Sequence, residues 1–292
     1  ILSILSVCAF TGGLYAQSIV STTPSTKNVL LEDFTGIYCG YCPDGAKVAD
    51  DFAAQNPGKV VIIGNHAGPY ASPSGGAFHL DMRTNEGAQI DGLADPSGYP
   101  AGNINRMVTN YSMKPGKTAM SRGYWTTVGG SVLTQSSPVN LAAKVHYYPG
   151  ENKLYVYIEG YYTGNGSGSD YLTVAVLQDN IESYQSGASS YPARILPSGN
   201  YNQMDVLRTY ITGSTSVFGE EIAQTTMGTF FTKTYTYDVT QIGPDVVPDI
   251  TNMHVAVWMT EDQGYSEVIT AIDELAVSQP VGVNEATSLN DL

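Results

Sequence analysis

Apolar residues gather at Val29-Leu30-Leu31 and close at Phe34, a short run ended by Thr35-Gly36 that predicts a buried strand. The period then changes. Ala46, Ala49, Phe52 and Ala53 recur at helical spacing between Cys42 and Gln55, and Asn56-Pro57-Gly58 supplies the stop. Residues 59–65 (KVVIIGN) predict a second buried strand of β-branched residues. A loop rich in Gly, Pro and Ser over 67–77 leads into a weaker helical pattern at 78–93. Turn chemistry at 95–100 precedes a third strand over 101–108. Residues 117–134 predict an amphipathic helix with Trp125 and Val132 on its inner face. Strands alternating with helices in this order call for an α/β layer.

After Ser137 the period becomes two. Val139, Leu141, Ala143 and Val145 alternate with Asn140, Lys144 and His146, and Leu154, Val156 and Ile158 follow suit. Similar runs cover Leu172, Val174 and Val176, then 229–239, 253–260 and 267–275, with a long irregular insertion over 180–228. Alternation with Gly and Asn turns predicts an all-β sandwich, Ig-like or jelly-roll-like. Val139, Leu141, Val156, Ile158, Val174, Val176, Val255 and Val257 are expected in one core, with Lys144, His146 and Glu159 outside. A membrane barrel would need more strands and aromatic girdles. The resulting division is a partial signal peptide at 1–17, a linker at 18–27, an α/β domain at 28–136, a β-sandwich at 137–278 and a linker at 279–292. Each large segment is expected to bury a core of its own.

Composition narrows the partners. A net charge of −14 across 292 residues, with no basic patch, speaks against nucleic acid. The opening ILSILSVCAFTGGLYAQS reads as the apolar part of a signal peptide cleaved near Ala16, which would remove Cys8; lipidation of Cys8 is the competing reading. No stretch is long enough for a transmembrane helix. The expected location is extracytoplasmic: periplasm, outer membrane surface or secreted. The remaining cysteines, Cys39 and Cys42, form one close pair, too few for a disulfide framework.

A C-x-x-C pair opening a helix has a chemical reason. Unpaired N–H groups at the helix start favour a thiolate on the first sulfur, and the second lies one turn on, able to resolve a mixed disulfide. A passive disulfide is the bland alternative, and a metal site lacks further ligands at suitable spacing. Asp33 falls on the strand face opposite Glu32, where a buried carboxyl near the cysteines competes with a solvated or capping Asp. His66, at a strand end, is a candidate modulator of Cys39, or a metal ligand with His79. Asp44, Asp50 and Asp51 read as a solvated helix face. Tyr147, Tyr148, Tyr155, Tyr157, Tyr161 and Tyr162 offer a carbohydrate- or protein-binding surface, although strand propensity explains them more simply.

The segment from Val29 to Cys42 resembles a thioredoxin active site. Asp33 stands at the spacing of that family's buried Asp, Tyr38 replaces its Trp, and Tyr99-Pro100 before a strand matches its cis-proline. Phe34-Thr-Gly-Ile-Tyr-Cys-Gly-Tyr-Cys-Pro43, with His66-Ala-Gly-Pro-Tyr70, also resembles the outer membrane protein 28-related family of Bacteroidetes, as do Asp205-Val-Leu-Arg208 and Gly219-Glu220. That resemblance covers 28–278 and implies a thioredoxin-like domain joined to a β-rich one. The tail resembles the linker before a type IX secretion sorting domain. The implied activity is thiol–disulfide exchange with protein thiols or disulfides, with Cys39 as nucleophile, Cys42 as resolving thiol and Asp33 as its base. Tyr38, Tyr41, Tyr99 and Pro100 would dock substrate. No cofactor beyond the Cys39–Cys42 disulfide and no metal is implied. The alternative is a surface binding or adhesion protein using the thioredoxin-like domain as scaffold.

Overall fold

The computed structural model describes residues 18–212, 218–239 and 245–280. The expected leader with Cys8 and the tail from 281 lie outside the described residues. In chain order, β1 (Ser25–Thr26) and β2 (Val29–Thr35) lead into α1 (Cys42–Gln55), β3 (Val60–His66), α2 (Asn85–Ala94), β4 (Ala101–Ile104), β5 (Met120–Ser121), α3 (Trp125–Val132) and β6 (Ser136–Ser137). The second half contributes β7 (Val139–Tyr148), β8 (Lys153–Tyr162), β9 (Asp170–Gln178), β10 (Ile181–Ser183), β11 (Tyr201–Gln203), β12 (Val206–Tyr210), β13 (Glu220–Ile222), β14 (Phe230–Asp238), β15 (Met253–Thr260) and β16 (Val268–Ser278). The fold is mostly β, with few helices.

Several elements are shorter than their patterns predict. α2 starts at Asn85 rather than 78 because Thr84 caps it, its side chain accepting from the Gly87 N–H. β4 ends at Ile104 because Asn105 and Arg106 turn the chain at φ 48° and 52°. The Asn105 side-chain oxygen accepts from the Leu30 N–H at 3.0 Å and fixes that turn. α3 is a short helix beginning at Trp125, behind a 3₁₀ turn at Arg122–Tyr124.

One large mixed sheet follows the order β14-β8-β7-β16-β15-β9-β12-β3-β2-β4-β5, with β13 beside β9. β2 and β3 are parallel, while β7, β8 and β14 are antiparallel neighbours. β16 turns the corner: its first part pairs with β15 and its end, Ala276–Ser278, runs parallel to β7. The described parts of 180–228, expected to be irregular, are instead the seam. It holds β12, which pairs with β9 and, at Val206, with Gly64 of β3.

Val139, Val156, Ile158, Val174, Val176, Val255 and Val257 share one core, with Leu141 packed at its margin. A second core draws on both halves: Leu30, Phe34, Val61 and Ile63 pack with Leu177, Leu207, Tyr210 and Trp258. The two segments are therefore joined through apolar surface as well as through the sheet. A third core, with Phe52, Trp125 and Val132, lies under α1 and α3. Glu159, expected outside, is buried because the 18–27 segment runs along the second half. Ser18 Oγ and the Ile19 and Val20 N–H groups all donate to its carboxylate. Burial would raise its pKa, but these donors outweigh that and lower it. Among the described residues, no helix is long and apolar enough to cross a membrane.

Candidate active site

β2 delivers the chain to a tight turn. Gly36 sits where a Cβ would lie 2.5 Å from the Tyr70 backbone, so only glycine fits there. The Tyr38 N–H donates to Tyr70 O and the Cys39 N–H to Gly36 O, both at 3.0 Å, which holds the motif against the loop after β3. Cys39 and Cys42 form a disulfide with Cα atoms 5.3 Å apart, and Cys42 opens α1 with Pro43 in its first turn. The Tyr99–Pro100 peptide bond is cis. Pro100 packs on that same first turn, where a Cβ on Gly45 would lie 2.8 Å from its ring.

Asp33 is 4 % exposed and its Oδ1 makes no hydrogen bond. Burial pushes its pKa up to about 8; Arg194 opposes this, while Asp50 and Asp205 reinforce it. Asp33, Asp50, His66, Arg194 and Asp205 line a cavity of about 20 Å³, room for about one water. His66 is buried with neither ring nitrogen hydrogen-bonded, and burial pulls its pKa down to about 4, so it is neutral. His79 is engaged elsewhere: it stacks on Tyr184 at 4.3 Å, and its Nδ1 lies 2.7 Å from the Tyr38 hydroxyl. Tyr41 is exposed at the rim. Tyr99 donates to Asp91 at 2.7 Å beneath the edge of Tyr70. Glu32, on the opposite face of β2, is buried with Arg106, whose Nη2 donates to it at 2.8 Å.

A distant segment, with no local signal in the residues, covers this motif. Gln185 Nε2 donates to Gly36 O at 3.2 Å and to Cys39 O at 3.1 Å, and the Ser186 N–H donates to Ile37 O at 2.8 Å. Gly187, at φ 69°, comes so close that a Cβ would lie 1.9 Å from Gly40 O. Gln203 steadies Gln185 by donating to its Oε1 at 3.0 Å. Asp50, expected in solvent, accepts from Tyr191 and Arg194 of the same stretch. Cys39 and Cys42 are consequently 3 % and 1 % exposed. The tyrosine surface also differs from expectation. None of the six tyrosines is exposed; Tyr162 is fully buried because it lies on the core-facing side of β8, and Tyr148, on β7, is fully buried on the other face with its ring against Tyr155.

HBP35 of Porphyromonas gingivalis has a similar structure, with a TM-score of 0.59 and 18 % identity over 89 % of this chain and 79 % of that one. Protein AGR_C_4864 from Agrobacterium tumefaciens is similar at a TM-score of 0.54 and 12 % identity, over 89 % and 99 %. At such identities the likeness concerns the fold. No curated protein matches the sequence. The model of the outer membrane protein Omp28 family matches residues 88–278, taking in the seam, the cover over the disulfide and the strands of the second half. On that match, the chain belongs to the Omp28 outer membrane protein family.

Proposed function

We propose that the chain is an exported thiol–disulfide exchange protein with a thioredoxin-like domain over 28–136 and a β-sandwich over 137–278. The observation that carries this reading is the Cys39–Cys42 disulfide at the start of α1. In the reduced form the Cys39 thiolate attacks a substrate disulfide, forming a mixed disulfide and expelling one substrate thiolate. Cys42 gives its proton to the Asp33 carboxylate and attacks Cys39 Sγ. That closes the Cys39–Cys42 bond and releases the second substrate thiolate, so two electrons pass to substrate. A carboxyl group titrating near pH 8 suits this transfer. Tyr99 and cis-Pro100 form the docking turn, with Tyr38 and Tyr41 at its rim and His66 a neutral neighbour. Family membership supports a cell-envelope location, and the tail's resemblance to a type IX linker supports export to the surface.

Because Gln185–Gly187 lies on the motif, a protein substrate reaches Cys39 only after that segment moves. The same burial favours a second reading, a surface-binding protein in which the disulfide is a static staple. Insulin reduction driven by dithiothreitol separates the two. The exchange reading expects catalysed turnover by the wild-type chain and none by Cys39→Ser; equal, background rates for both would leave the staple.

A further inference from the structure

His254 on β15 is 2 % exposed. Its Nδ1 lies 2.8 Å from Asp273 Oδ1 on β16, a contact that orients the ring with the Nδ1 proton on Asp273. Its buried Nε2 makes no hydrogen bond. That nitrogen faces two carboxylates of the seam, with Asp179 Oδ1 at 3.4 Å. Asp179 directly follows β9 and Asp205 leads into β12; the Asp205 N–H donates to Asp179 Oδ1 at 2.7 Å and holds the pair together. One donor atom from each of Asp179, Asp205 and His254 lies within 4.8 Å of the others. First-row ions bind such donors at about 2.0–2.2 Å, so roughly an ångström of side-chain closure completes the arrangement.

We propose that Asp179, Asp205 and His254 bind a first-row divalent cation such as Zn²⁺, with Asp273 positioning the His254 ring. An imidazole whose other nitrogen is held by a carboxylate is the usual orientation for a histidine ligand. One nitrogen with two carboxylates favours transition metals over Ca²⁺ and Mg²⁺, which take oxygen ligands. Asp179 and Asp205 keep 23 % and 22 % of their side-chain surface, so water can complete the coordination. The rival arrangement is a protonated His254 bridging the acids as a plain ion-pair cluster. In that arrangement Asp179 at 3.4 Å and Asp273 at 2.8 Å raise the His254 pKa to about 10 despite its burial, and a bound cation would take the place of the Nε2 proton.

The proposal does not rest on the disulfide reading, although Asp205 also borders the Asp33 cavity, and its test keeps the disulfide oxidised so that thiols do not compete for metal. Isothermal titration of the full chain with zinc chloride should show one ion per chain. Asp205→Asn and His254→Gln should each weaken binding at least tenfold, and Asp273→Asn by a smaller factor, with the exposed Asp238→Asn as an unchanged control. Circular dichroism identifies any variant that misfolds; if His254→Gln does, Asp205→Asn decides. Absence of stoichiometric zinc binding, or equal affinity in wild type and Asp205→Asn, would overturn the site and leave an ion-pair cluster only.

Discussion

β14 and β15 are both antiparallel strands of the second half, yet they lie in opposite surroundings. β14 alternates strictly between exposed and partly covered positions along Phe230–Asp238, because it is the sheet's edge and packs one face only. β15 is buried at every position. Val255, Val257 and Met259 enter the core beneath β7 and β8, while Ala256 and Trp258 enter the core shared with β2 and β3. Trp258 packs edge-to-face with Tyr210 and under the Arg106 guanidinium. A two-sided strand is thus the structural link between the halves, and a one-sided strand is a boundary with solvent.

The contrast breaks most completely if the halves separate. Expressing 138–278 alone would bare Leu177, Tyr210 and Trp258, so it should aggregate or unfold without a cooperative transition; a sharp, reversible melt would show that the shared core is dispensable. Within the full chain, Trp258→Ala should cost about 3–5 kcal/mol in urea unfolding. Thr234→Ala on the exposed face of β14 should stay within about 0.5 kcal/mol. Comparable effects at the two positions would erase the distinction.

A smaller, pH-dependent effect sharpens the picture at Asp33. Its folded pKa near 8 exceeds the ordinary 3.8, so between those values the native state holds a proton that the unfolded chain has lost. Stability therefore falls as pH rises from about 4 to about 8, and Asp205 contributes in the same sense. Asp33→Asn should flatten part of that decline and be stabilising above pH 8, by about 2 kcal/mol. The same stability difference between wild type and Asp33→Asn at pH 5 and at pH 8.5 in urea unfolding would place Asp33 in solvent.

Elements with strong periods were legible in the residues: α1 matches its stretch Cys42–Gln55, and the second half's strands follow their alternation. The motif and its lead-in strand were legible because strand, turn and helix signals are local. What escaped was non-local. Nothing along 180–228 shows that Gln185 reaches Cys39 or that Val206 joins β3, since those contacts depend on how distant strands assemble. Alternation also misled at Glu159, where a polar residue at a half-open position recruits the 18–27 segment. The Asp179–Asp205–His254 cluster brings together residues from three separated segments and has no sequence signature.

The most direct test of an exchangeable pair beneath a cover is the rate at which dithiothreitol reduces it, read by quenched alkylation. For the native chain the rate should level off at high reductant, where opening of the Gln185 segment becomes limiting, and Gln185→Ala should raise that plateau severalfold. A disulfide that stays closed until the chain unfolds, or one reduced equally fast with and without Gln185, would contradict the account.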